Sequence, residues 1–208
     1  MKKAVWVVKI GDYNPKMCAL TIPNLMAYAD KIGADFHLIT ERRYPDYGVA
    51  IERLQIHELG RGYEWNILID ADMLIHPNFS DATSFVPKDT VWSLMSFPLK
   101  ILFQVDRHFA RDSRRIAISP NFLVTSDLTH DIWIPFDLPI PDYMLSPVKK
   151  HFLDDFIVSR NLARFGIKYT NKLEDKSGVV HLGATSNKDM TDDVFEKLAR
   201  ETIERWEQ

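Results

Sequence analysis

Three short apolar runs, Ala4 to Ile10, Phe36 to Thr40 and Trp65 to Ile69, alternate with stretches of helical spacing, and this alternation constrains the chain more than any other feature. The runs are short, rich in β-branched and aromatic residues, and bounded by polar or glycine positions, as buried strands are. Between the first two, Thr21 offers an N-cap, and Leu25, Tyr28, Ala29 and Ile32 recur at helical spacing until Gly33 ends the pattern. Ile51, Leu54 and Glu58 lie along one side of a second helix that stops at Gly60-Arg61-Gly62. Strand alternating with helix in this way predicts an α/β fold: a mostly parallel, twisted sheet with helices on both faces.

The rest of the chain is less regular. Thr90 to Phe97, Ile116 to Thr125, Ile167 to Thr170 and Gly178 to Gly183 read as strands or strand ends. A helix is expected from about Val148 to Arg164, closed by Gly166, and a terminal amphipathic helix carries Phe195, Leu198, Ala199, Thr202 and Trp206 with Glu196/Arg200 and Glu201/Arg205 pairs. No linker composition divides the 208 residues, so one domain is expected: a nucleotide-binding half (1–75), a half completing the donor and acceptor sites (76–190) and a C-terminal helix (191–208). At 46% hydrophobic and 26% charged residues there is material for a full core, which excludes a disordered chain. The lone Cys18 excludes an internal disulfide and a cysteine-rich zinc module. The apolar run after Lys3 is interrupted by Lys9, too early for a signal peptide, and no stretch is long enough to span a bilayer; a cytoplasmic location is expected.

Several chemistries can be set aside. There is no phosphate-binding G-x-x-x-x-G-K-[ST] loop, no G-x-G-x-x-G after a strand, no H-E-x-x-H and no G-x-S-x-G. What stands out is Asp70-Ala71-Asp72 at the end of the run Asn66 to Ile69. On an extended chain, carboxylates two residues apart project to the same side, here at the carboxyl end of a buried strand, where open α/β sheets bind ligands. Such a pair is mutually repulsive unless a cation lies between, and a hard divalent ion would bridge it to a diphosphate. The competing reading is a strand that ends in acidic loop residues.

Leu68-Ile-Asp-Ala-Asp-Met-Leu74 resembles the D-x-D segment of GT-A nucleotide-sugar glycosyltransferases, in particular the glycogenin-like and galactosyltransferase-like family 8. Arg53, seventeen residues before Asp70, matches a basic residue that contacts the donor in that family, and Val179-Val-His-Leu-Gly183 with Lys188 is similar to its strand ending in a metal-binding histidine. The resemblance implies Mn²⁺ (or Mg²⁺) held by Asp70, Asp72 and His181, and a donor, by the family's habit a UDP-sugar, held by Val8, Lys9, Asp12, Tyr13, Arg53, Asp70, Ala71, Asp72, Gly183 and Lys188. Arg53 and Lys188 would neutralise the departing diphosphate. The glycine follows His181 at two residues rather than three, and Lys188 at seven rather than six, so the loop is shifted from the family pattern.

Asn121 lines up with a family asparagine facing the donor sugar, but the small residues that usually follow are replaced by Phe122 and Leu123, a departure that bears on sugar-pocket size. Asp154 and Asp155 correspond to the acidic segment near the anomeric carbon. Neighbouring helical positions diverge by about 100°, so one is expected to face the site, with Asp155 preferred. Lys100 to Arg115 gathers Lys100, Arg107, His108, Arg111, Arg114 and Arg115, which would suit a phosphate-bearing acceptor: a phosphorylated glycan, a lipid-linked head group or a nucleic acid. Phe103, Phe109, Trp133, Phe136 and Tyr143 are candidates for stacking on sugars or bases, or core. The expected activity is metal-dependent sugar transfer from a nucleotide-diphosphate donor to an acceptor hydroxyl, with retention implied by the resemblance. The alternatives are sugar transfer onto modified nucleic acid, a nucleotidyltransferase, which can share the doubly wound sheet and metal-binding carboxylates but for whose Gly-rich basic loop Gly11 to Lys16 is a poor version, and a non-catalytic nucleotide- or sugar-binding module.

Overall fold

The computed structural model describes residues 1–98, 116–140, 142–145, 152–172, 178–185 and 191–207. Lys188, the basic segment 100–115 and Phe103 and Phe109 lie outside the described residues, and the side chain of Tyr143 does too. In chain order the elements are β1 (Lys3–Val8), α1 (Pro15–Ile32), β2 (Ala34–Ile39), a 3₁₀ helix (Val49–Gln55) running into α2 (Ile56–Leu59), β3 (Trp65–Ile69), β4 (Met73–Ile75), β5 (Thr90–Pro98), β6 (Ile116–Ser126), a 3₁₀ helix (Asp127–Trp133), α3 (Leu153–Arg164), β7 (Lys168–Thr170), β8 (Val179–His181) and α4 (Asp192–Glu207).

Six strands form one sheet in the order β2-β1-β3-β6-β5-β7. All neighbours are parallel except the two pairs made by β6, which runs against β3 and β5. A separate antiparallel pair, β4 with β8, stands beside it. The period of two along β1 sorts the core into two layers. Ala4 and Trp6 face a cluster built with Ile51, Leu54, Leu153, Phe156 and Leu162, while Val5 and Val7 face one built with Met17, Leu25, Ala29, Phe195 and Ala199. Helices therefore cover both faces, as the alternation predicts. Among the described residues no helix is long and apolar enough to cross a membrane.

Local differences from the sequence reading have identifiable causes. Thr21 is not an N-cap. Pro15 occupies the first turn after the N-cap position Asn14, so α1 starts seven residues earlier, and Thr21 lies buried in its interior. The stretch after Gly48 winds first as a 3₁₀ helix and only then as a single α-turn. On α4, Arg200 pairs with Glu196 as expected, but Glu201 is met by Lys197, at 3.7 Å, instead of Arg205. Trp133 is fully buried and donates its indole N–H to Thr125 Oγ1, so it is core; Phe136 is half-buried and stacks on Tyr47 at 4.3 Å.

Asn66 holds β3 to its surroundings from a fully buried position. Its Oδ1 accepts from Trp6 Nε1 at 2.8 Å and its Nδ2 donates to the Gly60 carbonyl at 3.2 Å. Asn66→Ala strands the buried Trp6 indole N–H and removes one of the two donors to the Gly60 carbonyl, which keeps the Tyr63 N–H, and is expected to lower unfolding stability by about 1–3 kcal/mol in chemical denaturation.

Candidate functional site

The D-x-D segment is a turn, and this replaces the extended geometry expected from its sequence. β3 ends at Ile69; the Asp70 N–H then donates to the Asn121 carbonyl at 2.7 Å, and Met73 N–H closes back on Asp70 O at 3.1 Å before β4 begins. The turn is fixed from α1, where Thr21 Oγ1 donates to the Ala71 carbonyl at 2.6 Å. It is fixed again from β8, because Met73 pairs with His181 and Leu182 N–H donates to Asp72 O at 2.9 Å. Two carboxylates that strand alternation alone would have aligned are thus brought together by a turn, with an imidazole delivered opposite them.

Asp70, Asp72 and His181 each offer one ligand atom, and these atoms lie within 4.8 Å of one another. His181 Nε2 stands 3.3 Å from Asp72 Oδ1. Gly183 passes directly over them: a Cβ added there would overlap Asp72 Oδ2 and come within 3.2 Å of His181 Nε2. Two carboxylate oxygens and one imidazole nitrogen form a mixed hard and borderline donor set that fits Mn²⁺ or Mg²⁺, with coordination positions left for waters and a diphosphate.

Charge around this cluster is unbalanced. Arg53 Nη2 donates to Asp70 Oδ1 at 2.6 Å and Nη1 to Asp154 Oδ2. Asp155, next along α3, accepts from the Ser119 hydroxyl. Both acidic residues of α3 are buried, Asp154 against Arg53 and Asp155 against β6. Four carboxylates therefore share one guanidinium and one imidazole. Burial, reinforced by Asp72 and Asp154 against the opposing pull of Arg53 and His181, pushes Asp70 up to about 7. Burial and the charge of Asp154 raise Asp155 well above the usual carboxylate range. Burial on its own would lower His181, but the hydrogen bond and charge of Asp72 outweigh it and raise it. The site holds protons where a cation would otherwise balance the charge.

Beside the turn opens a cleft of about 420 Å³ lined by Val8, Ile10, Tyr13, Val49, Ala50, Arg53, Asp70, Ala71 and Asp72. Gly11 and Asn14, both at positive φ (59° and 36°), fold the β1–α1 loop so that Tyr13 reaches it. Burial, then Asp72 and Asp70, raise the Tyr13 hydroxyl above its ordinary value. Lys9 and Asp12 do not line the cleft; Lys9 Nζ donates to Gly11 O at 2.8 Å and Asp12 is exposed. Sequence reasoning missed Ile10, Val49, Ala50 and the anchoring role of Thr21. Val49 and Ala50 precede Arg53 by four and three residues, a spacing that places them on its face and was available as a signal.

Asn121 enters through an irregularity in the β5–β6 ladder. Ser93 pairs with Leu123 and Met95 with Ser119, so Leu94 alone opposes Pro120, Asn121 and Phe122. Pro120 has no N–H to contribute, and the bulged segment turns Asn121 toward the D-x-D turn, with Nδ2 at 3.4 Å from His181 Nδ1. Phe122 and Leu123 are fully buried in the two core layers. They do not line the cleft beside the D-x-D turn.

No family model and no curated protein matches the chain by sequence. Solved structures do match by shape. A glycosyltransferase involved in the glycosylation of the major capsid of PBCV-1 aligns over 96% of this chain and 98% of its own, at TM-score 0.56 and 9% identity. The galactosyltransferase LgtC, solved in complex with donor and acceptor sugar analogs, aligns over 95% of both chains at TM-score 0.50 and 11% identity. At such identities the likeness is one of fold, and the fold is that of the GT-A glycosyltransferases.

Two outcomes follow from the site's geometry. Metal binding must displace protons held by Asp70 and His181, so Mn²⁺ affinity measured by calorimetry should rise at least about tenfold between roughly pH 6 and pH 8, with net proton release. A flat profile would remove these residues as ligands. Gly183→Ala should displace the Asp72 carboxylate and weaken Mn²⁺ binding by roughly 10- to 100-fold while the metal-free melting temperature stays close to wild type.

Proposed function

We propose that the chain is a metal-dependent glycosyltransferase that moves a sugar from a nucleotide-diphosphate donor, UDP-linked, to an acceptor hydroxyl. The observation that carries this is the convergence of Asp70, Asp72 and His181 next to Arg53, at the carboxyl end of β3 in a GT-A fold. The likeness to family 8 supports the finer reading, including retention of anomeric configuration and the part assigned to Lys188. It also supports the division into a nucleotide-binding half (1–75), a completing half (76–190) and a C-terminal helix.

In this reading the cleft takes the nucleoside, with Tyr13, Val8 and Val49 offering apolar surface to the base. A divalent ion bound by Asp70, Asp72 and His181 would supply Lewis-acid charge to the leaving diphosphate. Arg53 stands within reach of the same group and is held in a fixed pose by Asp70 and Asp154, so its charge needs no reorganisation as negative charge builds. Asn121 presents its amide beside His181, and Asp155 sits buried on the neighbouring helix.

The nucleotidyltransferase alternative gains nothing from Lys16, which is exposed and paired with Asp193 on α4 and does not line the cleft. A purely binding role gives no reason for so much unbalanced negative charge next to Arg53. Phosphate-bearing acceptors, nucleic acid included, stay attached to the 100–115 segment.

The test is release of UDP from UDP-sugars in the presence of Mn²⁺. Asp72→Ala should fold normally and lose on the order of 1000-fold in turnover, and chelation should abolish activity of the wild type. Undiminished turnover in Asp72→Ala would sink the metal assignment. Release of pyrophosphate from a nucleoside triphosphate would point to nucleotidyl transfer instead.

A further inference from the structure

The metal-ligand cluster has two sides. On one is the cleft with Val8, Ile10 and Tyr13. On the other, contacts run outward from His181 to Asn121 at 3.4 Å and from Asn121 Nδ2 to Met95 Sδ at 2.7 Å. If the nucleoside fills the cleft and the diphosphate spans the ligands and Arg53, the transferred sugar falls on the Asn121–Met95 side.

Met95 is placed there by construction. It sits at the β5 side of the bulge, and the fully buried Ser93 fixes that geometry by sharing its hydroxyl between Met95 O at 2.7 Å and Ser119 O at 2.9 Å. Asn121 is 3% exposed whereas Met95 is 38% exposed, so the thioether forms the solvent-facing wall and the amide lies behind it. Sulfur is a weak acceptor for the Asn121 amide, and a sugar hydroxyl would replace it with a stronger bond. An unbranched thioether with three rotatable bonds can swing aside to admit that hydroxyl while still limiting the bulk beside it. Phe122 and Leu123, the residues that sequence reasoning set against pocket size, are fully buried and cannot do this.

We propose that Met95 is a specificity-determining side chain, the wall that sets how large a substituent the donor sugar can carry beside Asn121. The proposal rests on the donor reading above, and the experiment separates the two. Dissociation constants for UDP, UDP-glucose, UDP-galactose, UDP-N-acetylglucosamine and UDP-N-acetylgalactosamine are measured with Mn²⁺ for wild type, Met95→Ala and Met95→Leu. UDP itself should bind all three equally. Met95→Ala should shift the ratio of N-acetylated to plain sugar by roughly tenfold or more toward the bulkier donors, and Met95→Leu, of similar volume, should keep the wild-type ratio. Ratios in Met95→Ala within about twofold of wild type, with UDP still bound, would overturn the role of Met95 alone. Failure of UDP to bind the wild type with Mn²⁺ would overturn the donor reading, and this inference with it.

Discussion

The guanidinium of Arg53 is the one charge that this molecule cannot do without. It is mostly buried, it is shared between Asp70 at the end of β3 and Asp154 on α3, and it comes from the helical segment after Gly48. Asp70 lies 17 residues from Arg53 but Asp154 lies 101 away, so the contact that sets the electrostatics of the site also ties the first half of the chain to α3. A buried carboxylate deprived of its partner costs several kcal/mol, which makes Arg53 a structural requirement as well as a chemical one. Its neighbour Glu52 secures it from behind. Fully buried, Glu52 is paired with Arg42 Nε at 2.7 Å, takes the N–H groups of Arg43 and Tyr44, and binds Gln55 Nε2 at 2.8 Å. Arg53 is thereby held at the rim of the cleft by its own segment.

Around this pivot the protein accumulates more negative charge than it balances. The polar residues that converge here come from the end of β3, from β6, β8, α1 and α3, with the turn held by backbone bonds and Asp154 and Asp155 held by side-chain bonds to Arg53 and Ser119. The turn after β3, the bulge opposite Leu94 and the close pass of Gly183 are departures from regular structure that all concentrate at one edge of the sheet. Elsewhere the sheet and its two core layers are regular. Irregularity confined to one edge on a regular scaffold is how an α/β fold aims side chains without weakening its core.

What the sequence made legible follows the same division. Period-two and helical spacing report burial, so β1, β2, β3, α1 and the two-faced sheet could be read from Val5, Leu25 or Ile67 alone. Asp70 and Asp72 were visible because an apolar run ended abruptly in charge. The errors came from contacts between distant residues. Thr21 looked like a cap because hydroxyls cap helices and a helical spacing follows it, yet its partner is the Ala71 carbonyl fifty residues away. Phe122 and Leu123 looked like pocket residues because they follow Asn121, but the bulge turns the buried Asn121 toward His181 while its neighbours stay in the core. Glu52 and Met95 gave no local signal, since nothing in their immediate sequence says which strand or loop will meet them.

The first helix is not capped by its own sequence. Asn14, at positive φ, supplies no side-chain bond, and the free N–H groups of Lys16 and Met17 are taken at 3.0 and 3.1 Å by the carboxylate of Asp192, the first residue of α4. That carboxylate also lies at the positive end of its own helix, so a single charge serves two N-termini. During synthesis the Tyr13 loop and the start of α1 emerge early, but their cap arrives only some 176 residues later. Until then the loop is held by its local bonds, Cys18 N–H to Asn14 O and Cys18 Sγ to Tyr13 O, while the N–H groups of Lys16 and Met17 lack this partner. The first turn of α1 is thus completed only once the segment carrying Asp192 has been made and has folded back onto it.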